Sequence, residues 1–305
     1  MTATVEGANG EKAVWKFGYG SNMSQNFMRE KKGLNPLDSK RTMLRGFALS
    51  FPEGQGFDLV EPSFATLKRD PEGMVHGVST LLSMADKESL DKQEGAYALE
   101  ICMASDYGTG EELSVEVYVP KKPLALDFPE GCCSVRYRDI LVRGAQENDL
   151  DAAWIDKLLA LPTYTPSAET LARRAALPSP SELPQMSIEE LRLHDGKSEA
   201  HPTYTSSCGY IFEHAPMFAV MRGRDVTQRN VLHIRAMNLE EHDDGGRSPF
   251  PRLSKLSPTE LEYSLQYLDR FISKGGSPIA VVREFWEEQD VELEGVFSGN
   301  ALSRL

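Results

Sequence analysis

A short run of strand-forming residues is followed at once by a glycine-containing turn and a helical segment. Val14–Gly18 favours a strand, Tyr19-Gly20-Ser21-Asn22 forms the turn, and Met23–Lys32 can be read as a short helix. A strand that turns through glycine into a helix N-terminus presents several free backbone N–H groups at one point, and such groups bind anions and carbonyl oxygens. The sequence therefore predicts a cradle for a small, carboxylate-bearing substrate at residues 19–22.

The rest of the first half is predicted to consist mainly of short strands. Runs of β-forming residues are separated by glycine, proline or charged turns. These runs are Arg45–Phe51, Ser63–Leu67, Val75–Leu82, Leu99–Met103, Leu113–Val119 and Asp139–Val142. One helix is expected from the cap Ser83 to Gln93, where Gly95 ends it. A second helix is expected at about Leu150–Leu161, where large apolar residues recur at helical spacing.

The composition of the 305-residue chain excludes several classes of protein. The formal net charge is −13 and the pI is about 5.0, whereas nucleic-acid binding usually needs a basic face. Hydrophobic residues make up 40% of the chain, which supports a buried core, and no apolar run approaches the roughly 18 residues of a membrane span. We therefore expect a soluble protein that binds neither nucleic acid nor membranes.

The termini and the cysteines bear on the compartment. Residues 1–13 contain no apolar stretch of the kind found in secretory signals, so a cytoplasmic location is expected. The four cysteines form no CxxC pair, which favours free thiols in a reducing compartment over a metal site. The chain ends in Ser303-Arg304-Leu305, which is similar to the Ser-Lys-Leu peroxisomal address, so import into peroxisomes is left open as an alternative.

The second half begins with a segment of different character. Prolines interrupt residues 163–206 repeatedly, and signals for helix starts occur at Thr165-Pro166 and over Ser187–Glu190. We therefore expect residues 163–206 to form a wrapping connector with short helical pieces and not a compact unit of its own.

Regular patterns return in residues 207–305 and predict a C-terminal α/β segment. Three runs predict strands, namely Cys208–Phe212, Met217–Met221 and Val231–Met237. The strongest helix signal of the chain covers Pro258–Ser273, where Ser257 is the cap and Glu260 completes a capping box.

Glu94 stands at the C-terminal end of the helix predicted after Ser83, directly before Gly95. A carboxylate at this end opposes the helix dipole, which disfavours its charged form. A chain selected for stability alone more often carries lysine or arginine there. The position suggests a functional carboxylate, although a glutamate at a helix end is by itself usually a surface residue.

Three motifs occur in a fixed order along the first half. They are Tyr19-Gly-Ser-Asn-Met23, then Gln93-Glu94-Gly95, then Tyr137-Arg-Asp-Ile140 leading into Gly144–Asn148. Their order and spacing, 94 − 19 = 75 and 137 − 94 = 43 residues, resemble the γ-glutamylcyclotransferase family, which includes AIG2-like proteins. The resemblance covers about residues 14–162. It implies an α+β fold, a small mixed and mostly antiparallel β-barrel with flanking helices, whose glycine loop and glutamate meet at one open end.

The family resemblance implies a reaction that needs neither a metal nor a cofactor. The α-amine of a γ-glutamyl group attacks its own γ-carbonyl, closes a five-membered ring and expels an amine as 5-oxoproline forms. The enzyme must supply a base because the α-amine is an ammonium at neutral pH. Glu94 is the candidate, since it can take that proton and return it to the leaving nitrogen.

The same resemblance implies the residues that hold the substrate. The backbone N–H groups of Gly20, Ser21 and Asn22 are expected to bind either the α-carboxylate or the developing oxyanion. Three tyrosines complete the expected pocket: Tyr19 belongs to the loop, and Tyr118 and Tyr137 donate hydrogen bonds into it.

The resemblance leaves the substrate open. Glutathione-specific relatives carry a Tyr-Gly-Ser-Leu type of loop, whereas this chain has Asn22, which favours γ-glutamyl amino acids, dipeptides or amines, or a biosynthetic intermediate. A glutathione-specific or biosynthetic deprotecting enzyme stays an alternative. A second alternative is a non-catalytic module that binds γ-glutamyl or acidic ligands on the same scaffold, which would need no base.

The chain also extends beyond the resemblance. The simplest family members end soon after a helix equivalent to the one near Leu161, whereas this chain continues to residue 305. We expect residues 1–13 to be a flexible N-terminus, 14–162 the catalytic domain, 163–206 the connector, and 207–305 an extension that packs on the barrel and influences which leaving group is accepted.

Overall fold

The chain divides into two compact units in the computed structural model. The structure describes residues 4–6, 10–56, 60–125, 127, 129–214, 221–236, 250–289 and 297. The first unit comprises Met1–Phe57 and Glu61–Thr163, and the second comprises Asp58–Val60 and Tyr164–Leu305. The three motifs described above all lie in the first unit.

The first unit is built on one sheet with the strand order β1-β2-β4-β3-β5-β6. Its strands are β1 Thr4–Glu6, β2 Lys12–Gly18, β3 Asp38–Ser50, β4 Thr66–Ser83, β5 Tyr97–Asp106 and β6 Glu112–Pro120. Strands β2 and β6 also pair in parallel, which closes β2 to β6 loosely into a barrel, while the other pairings of this sheet are antiparallel. The expected α+β class and mostly antiparallel barrel are confirmed. Strand β1 falls in the segment expected to be flexible.

Apolar side chains from neighbouring strands form the centre of this barrel. Residues that alternate with polar ones along the strands are no more than 1% exposed. They include Leu44, Val75, Ala104, Val115 and Val117. Burying this face fixes the strand register, because a slip of one residue would turn the apolar side chains towards water.

Within the described residues, four helices flank the barrel, and their starts follow from capping side chains. They are α1 Gln25–Glu30, α2 Met84–Gln93, α3 Val135–Glu147 and α4 Ala152–Leu159. The Ser83 hydroxyl accepts from the Asp86 N–H at the start of α2, as the sequence predicts. The helix expected over Met23–Lys32 is shorter, because Ser24 adopts an extended conformation and caps α1 after a separate 3-10 turn at Ser21–Met23.

The strand predicted at Asp139–Val142 is wrong, because these residues lie inside α3. Ser134 starts this helix by accepting a hydrogen bond from the Tyr137 N–H. Ile140 and Leu141 are then buried on the helix side that also carries Ala145. Packing of an apolar helix face outweighs the weak strand preference of a short Ile-Leu-Val run.

The second unit contains a four-stranded sheet in the order β7-β10-β9-β8, together with helices. Its elements are α5 Ala168–Ala175, β7 Gln185–Met186, α6 Ile188–Arg192, β8 Tyr204–Ser207, β9 Tyr210–Glu213, α7 Val226–Ala236, α8 Pro258–Ser273, β10 Ala280–Val282 and α9 Arg283–Glu287. A core that includes Leu191, Ile211, Leu268 and Phe285 holds it together. The helix predicted at Pro258–Ser273 is confirmed, with its capping box between Ser257 and Glu260.

Two strands predicted in the second unit have different outcomes. Val231–Met237 is wrong as a strand, since residues up to Ala236 belong to α7, whose start is set when Asp225 accepts from the Thr227 N–H. Of Met217–Met221, the residues before Met221 lie outside the described residues, as does Ser303-Arg304-Leu305. Within the described part of the chain, no helix has both the length and the apolar character needed to cross a membrane.

Candidate active site

The glycine loop between β2 and α1 has a shape that only small residues allow. A Cβ atom on Gly18 would lie 2.7 Å from the Asn22 carbonyl oxygen, which excludes any side chain there. A Cβ on Gly20 would lie 3.2 Å from the Tyr137 hydroxyl. The turn is closed by a hydrogen bond of 3.1 Å from the Met23 N–H to the Gly20 carbonyl. These contacts place the loop directly against Tyr137.

The backbone donors of this loop are available. The N–H groups of Gly20, Ser21 and Asn22 donate to no other residue that the structure describes. The Asn22 side-chain oxygen, Oδ1, is buried and also has no hydrogen-bond partner. Leaving a buried polar group unpaired costs about 1–3 kcal/mol, so these groups are well placed to bind a polar ligand.

Glu94 is held at the junction of α2 and β5. Its backbone N–H donates to the Leu90 carbonyl at 2.9 Å, and its own carbonyl accepts from the Tyr97 N–H at 2.9 Å. Its side chain is 16% exposed. The side-chain oxygen Oε1 accepts from the Asn22 Nδ2 at 3.1 Å. The structure therefore brings together the loop and the glutamate that the sequence analysis singled out separately.

Lys32 is a neighbour of Glu94 that the sequence analysis did not identify. Its Nζ atom lies 2.6 Å from Glu94 Oε1, and its side chain is 13% exposed. The Gln93 side chain donates to the Lys32 carbonyl at 3.2 Å, which ties the segment after α1 to the end of α2. An ammonium at this distance stabilises the charged carboxylate and opposes the effect of the helix dipole. The two residues are 62 positions apart, and no local signal links them.

Tyr19 and Tyr137 are buried beside the loop. The Tyr19 hydroxyl donates to the Tyr118 carbonyl at 2.8 Å. Burial raises the pKa of Tyr19 well above its usual value, and the nearby Tyr97, Tyr137 and Glu94 raise it further. Burial, followed by the influence of Tyr97, also raises the pKa of Tyr137. Both hydroxyls are therefore protonated donors at neutral pH.

Tyr97 is a second site residue that the sequence analysis missed. It is the first residue of β5, it is partly buried, and burial followed by the charge of Glu94 raises its pKa. The bond from its N–H to the Glu94 carbonyl closes a turn over Glu94-Gly-Ala-Tyr97. Tyr97 follows Glu94 by three residues, the spacing of the two ends of a β-turn, and this spacing could have indicated that the two residues lie close together.

The Tyr118 hydroxyl has two partners within the protein. It donates to Asp91 Oδ1 at 2.5 Å and accepts from Lys16 Nζ at 3.2 Å. Burial, and after it the hydrogen bond to Asp91, raises the pKa of Tyr118. The backbone carbonyl of Tyr118 accepts the hydrogen bond from the Tyr19 hydroxyl beside the loop.

A charged network surrounds the Tyr118 hydroxyl. Lys16 is only 3% exposed, and its Nζ lies 2.7 Å from Asp91 Oδ1 and 2.8 Å from Glu116 Oε2. Burial alone would raise the pKa of Asp91, but hydrogen bonds from Lys16, Lys87 and Tyr118 outweigh burial and lower this pKa to about 2. Among the described residues, no three His, Cys, Asp or Glu side chains are grouped as a metal site would require.

About half of the chain is similar to proteins named as γ-glutamyl cyclotransferases. It is 26% identical over 189 residues to "Gamma-glutamyl cyclotransferase aclK" of Aspergillus oryzae, which covers 54% of this chain and 68% of that protein. It is 26% identical over 191 residues to the corresponding gliK protein of Aspergillus fumigatus, with the same coverage. No protein-family model matches the chain.

Solved structures resemble a similar share of the chain. An uncharacterized protein from Homo sapiens is 25% identical with a TM-score of 0.43, covering 52% of this chain and 95% of that one. A structure named "Gamma-glutamyl cyclotransferase" is 24% identical, with the same TM-score and the same coverage.

Proposed function

We infer that the chain belongs to the γ-glutamylcyclotransferase family, because about half of its length is similar to proteins named γ-glutamyl cyclotransferases. We propose that it converts a small γ-glutamyl compound into 5-oxoproline and a free amine or amino acid. The substrate's α-amine attacks its γ-carbonyl carbon. The new C–N bond closes the five-membered ring, and the bond from that carbon to the leaving nitrogen breaks. The substrate thus supplies its own nucleophile, and no protein nucleophile takes part.

The geometry of Glu94 carries this proposal. Its Oε1 atom is fixed by Lys32 and Asn22, at 2.6 and 3.1 Å. Its other oxygen, Oε2, accepts no hydrogen bond from the described residues. A carboxylate that is anchored through one oxygen and open at the other is suited to exchange a proton with a bound ligand.

Glu94 acts first as a base and then as an acid. Its Oε2 takes a proton from the substrate's ammonium, which frees the lone pair of the α-nitrogen for attack. Glu94 returns this proton to the leaving nitrogen as its bond to the γ-carbon breaks. The ring nitrogen loses its second proton as it becomes an amide, and this proton passes through solvent to the released amine, so the enzyme ends the cycle in its starting form. Proton transfer by a positioned side chain contributes about 10²–10⁴-fold to such a reaction.

The loop and the tyrosines orient the substrate and stabilise charge. The available N–H groups of Gly20, Ser21 and Asn22 bind the α-carboxylate or the oxygen that becomes negative when the γ-carbonyl is attacked. We assign the same function to the hydroxyls of Tyr97 and Tyr137, because the Tyr137 hydroxyl lies against Gly20 and the charge of Glu94 acts on Tyr97. Tyr19 and Tyr118 support the loop through the bond between them.

A panel of γ-glutamyl compounds tests the reaction directly. Glutathione, several γ-glutamyl amino acids and several γ-glutamyl amines are incubated with the full chain, and 5-oxoproline is measured by mass spectrometry. We expect turnover with at least one compound, with γ-glutamyl amino acids or amines preferred over glutathione. Absence of 5-oxoproline with every compound would contradict the proposed activity.

A binding module without activity is the alternative that the panel also addresses. Such a module would bind γ-glutamyl compounds in calorimetry without releasing 5-oxoproline. The presence of Glu94 with a free oxygen argues for the enzyme, because a module that only binds has no use for a base.

The contribution of residues 163–305 is a separate part of the proposal. We assign the activity to residues 14–162 and propose that residues 207–305 influence which leaving group is accepted, with 163–206 as the connector. A chain that ends at Thr163, the last residue of the first unit, should cyclise the same γ-glutamyl end with altered selectivity across the panel. An unchanged rank order of substrates would contradict a role in selectivity.

A further inference from the structure

Lys32 occupies a distinctive place beside Glu94. Its ammonium lies 2.6 Å from Glu94 Oε1, and within the described residues it is the one cation in ion-pair contact with this carboxylate. The side chain is 13% exposed and passes near the Phe27 ring, with Nζ 6.0 Å from the ring centroid. A lysine ammonium has three donors, and Glu94 uses one of them.

The charges of a γ-glutamyl substrate complement this pair. Its glutamyl end carries an ammonium and a carboxylate on the same carbon atom. If the ammonium docks on Glu94 Oε2, the carboxylate two bonds away enters the immediate surroundings of Glu94. A partly buried carboxylate without a cation would be strongly disfavoured. The cation that already stands there is Lys32.

We propose that Lys32 binds the α-carboxylate of the substrate and so determines the specificity of the site for a free γ-glutamyl end; this inference rests on the proposed function. The N–H donors of Lys32 that Glu94 does not use face the α-carboxylate of the substrate. Glu94 Oε1 keeps its contact with the Lys32 ammonium, and Glu94 Oε2 contacts the substrate's α-ammonium. The four charges then alternate in sign: Lys32, Glu94, the α-ammonium and the α-carboxylate.

This arrangement stays balanced while the proton moves. Before transfer, the two positive and two negative charges cancel. After the proton has moved from the α-ammonium to Glu94 Oε2, both of those groups are neutral, and Lys32 still pairs with the α-carboxylate. With Lys32 bound to the α-carboxylate, the N–H groups of Gly20, Ser21 and Asn22 remain free to bind the γ-carbonyl oxygen. Of the two roles considered for these groups, binding of the α-carboxylate or of the developing oxyanion, the inference thus selects the second.

The test compares ligands that differ only in the α-carboxylate. The best substrate of the panel is assayed beside its α-carboxamide analogue, and 5-oxoproline and 5-oxoprolinamide are titrated by calorimetry. The proteins are the wild-type full chain, Lys32→Met, Lys32→Arg and Lys92→Met. Lys92 is an exposed lysine of α2, two residues from Glu94, so its variant is the matched control. Thermal unfolding of each variant verifies folding.

The comparison across the two ligands isolates the proposed contact. Removing Lys32 also alters Glu94, but that change acts on both substrates alike, so the difference between substrates reports the carboxylate contact. We expect the wild type to prefer the carboxylate form about 10- to 100-fold in kcat/KM, mainly through KM. Lys32→Met should lose most of this preference, Lys32→Arg should restore part of it, and Lys92→Met should leave it unchanged.

The outcomes separate the inference from the proposed function. A wild type that releases no 5-oxoproline from any compound overturns the function and the inference together. An active wild type that accepts carboxylate and carboxamide equally overturns the inference alone and requires no variant. An active Lys32→Met protein that keeps the full preference, in kinetics and in binding of 5-oxoproline over 5-oxoprolinamide, overturns it as well.

Discussion

Two carboxylates near the end of α2, Asp91 and Glu94, both pair with lysine, but they differ in how many of their oxygens accept hydrogen bonds from the protein. Asp91 receives hydrogen bonds on both oxygens, from Lys16 and Tyr118 on Oδ1 and from Lys87 on Oδ2. Glu94 receives its bonds on Oε1, and Oε2 has no donor among the described residues. A carboxylate with both oxygens paired stabilises the fold, whereas one with a free oxygen is open to a ligand's proton.

The largest loss of turnover is expected when Glu94 is changed to glutamine. Glu94→Gln keeps the size and much of the hydrogen bonding but cannot take up a proton, so turnover should fall about 10²–10⁴-fold. Substrate binding by calorimetry and the unfolding temperature should change little. Glu88→Gln, an exposed position on α2, serves as the control. Turnover of Glu94→Gln at the wild-type rate would show that another group is the base.

Asp91→Asn should have the opposite profile, with loss of stability and retained chemistry. The pKa of Asp91 is lowered in the folded state, from 3.8 to about 2, so the carboxylate stabilises the fold above about pH 4, and this contribution is lost as pH falls through about 2. The shift corresponds to about 2 kcal/mol. In urea unfolding, the gap between wild type and Asp91→Asn should be full at pH 6 and shrink toward pH 2. A gap that widens on acidification would contradict this account.

Tyr118, which contacts Asp91, and Tyr97, which follows Glu94, allow the same comparison of stability and turnover with smaller expected effects. Tyr118→Phe removes the bond to Asp91 and should lower the free energy of unfolding by about 1–2 kcal/mol, with turnover nearly unchanged. Tyr97→Phe removes a hydroxyl whose pKa the charge of Glu94 raises, and it should reduce kcat about tenfold with little loss of stability. Unfolding curves and kcat, measured for both variants, check the pair. Equal effects of the two changes on kcat would remove the distinction between the two regions.

The smallest effect is expected at the glycine loop. Gly20→Ala places a Cβ 3.2 Å from the Tyr137 hydroxyl, so the two must separate by a few tenths of an ångström. We expect a KM increase of a few-fold and a destabilisation of about 1 kcal/mol. Tyr137→Phe in the same chain relieves the contact and should restore the unfolding temperature. An additive loss of stability in the double variant would contradict this contact.

The parts of the fold that follow from local signals could be predicted from the sequence. Helices α2 and α8 begin at Ser83 and Ser257, whose side chains accept from the backbone within their own first turn. The failures lie where local preference and packing disagree. Residues 139–142 and 231–236 include strand-forming residue types, but each run lies in a helix that a capping side chain starts.

Of the candidate site, only the residues that belong to the sequence motifs could be predicted. The loop and Glu94 stand out because their residues are unusual for the local structure, and the family resemblance links them. Lys32, Tyr97 and the Lys16–Asp91 pair carry no such mark. Lys16 and Asp91 are 75 residues apart, so their contact is decided by how β2 and α2 meet in the folded barrel. Sequence patterns with short periods contain no information on such a contact.

The bond from Asn22 to Glu94 joins residues 72 positions apart, and the one from Tyr19 to Tyr118 joins residues 99 positions apart. Contacts of long sequence separation form slowly, because a large loop must close before they gain anything. We therefore expect the site to assemble late in folding. When the unfolded chain is diluted out of denaturant, the circular dichroism signal of the helices should return first. The release of 5-oxoproline should return later, when the barrel closes, so the recovery of activity would report the rate of the final stage of folding.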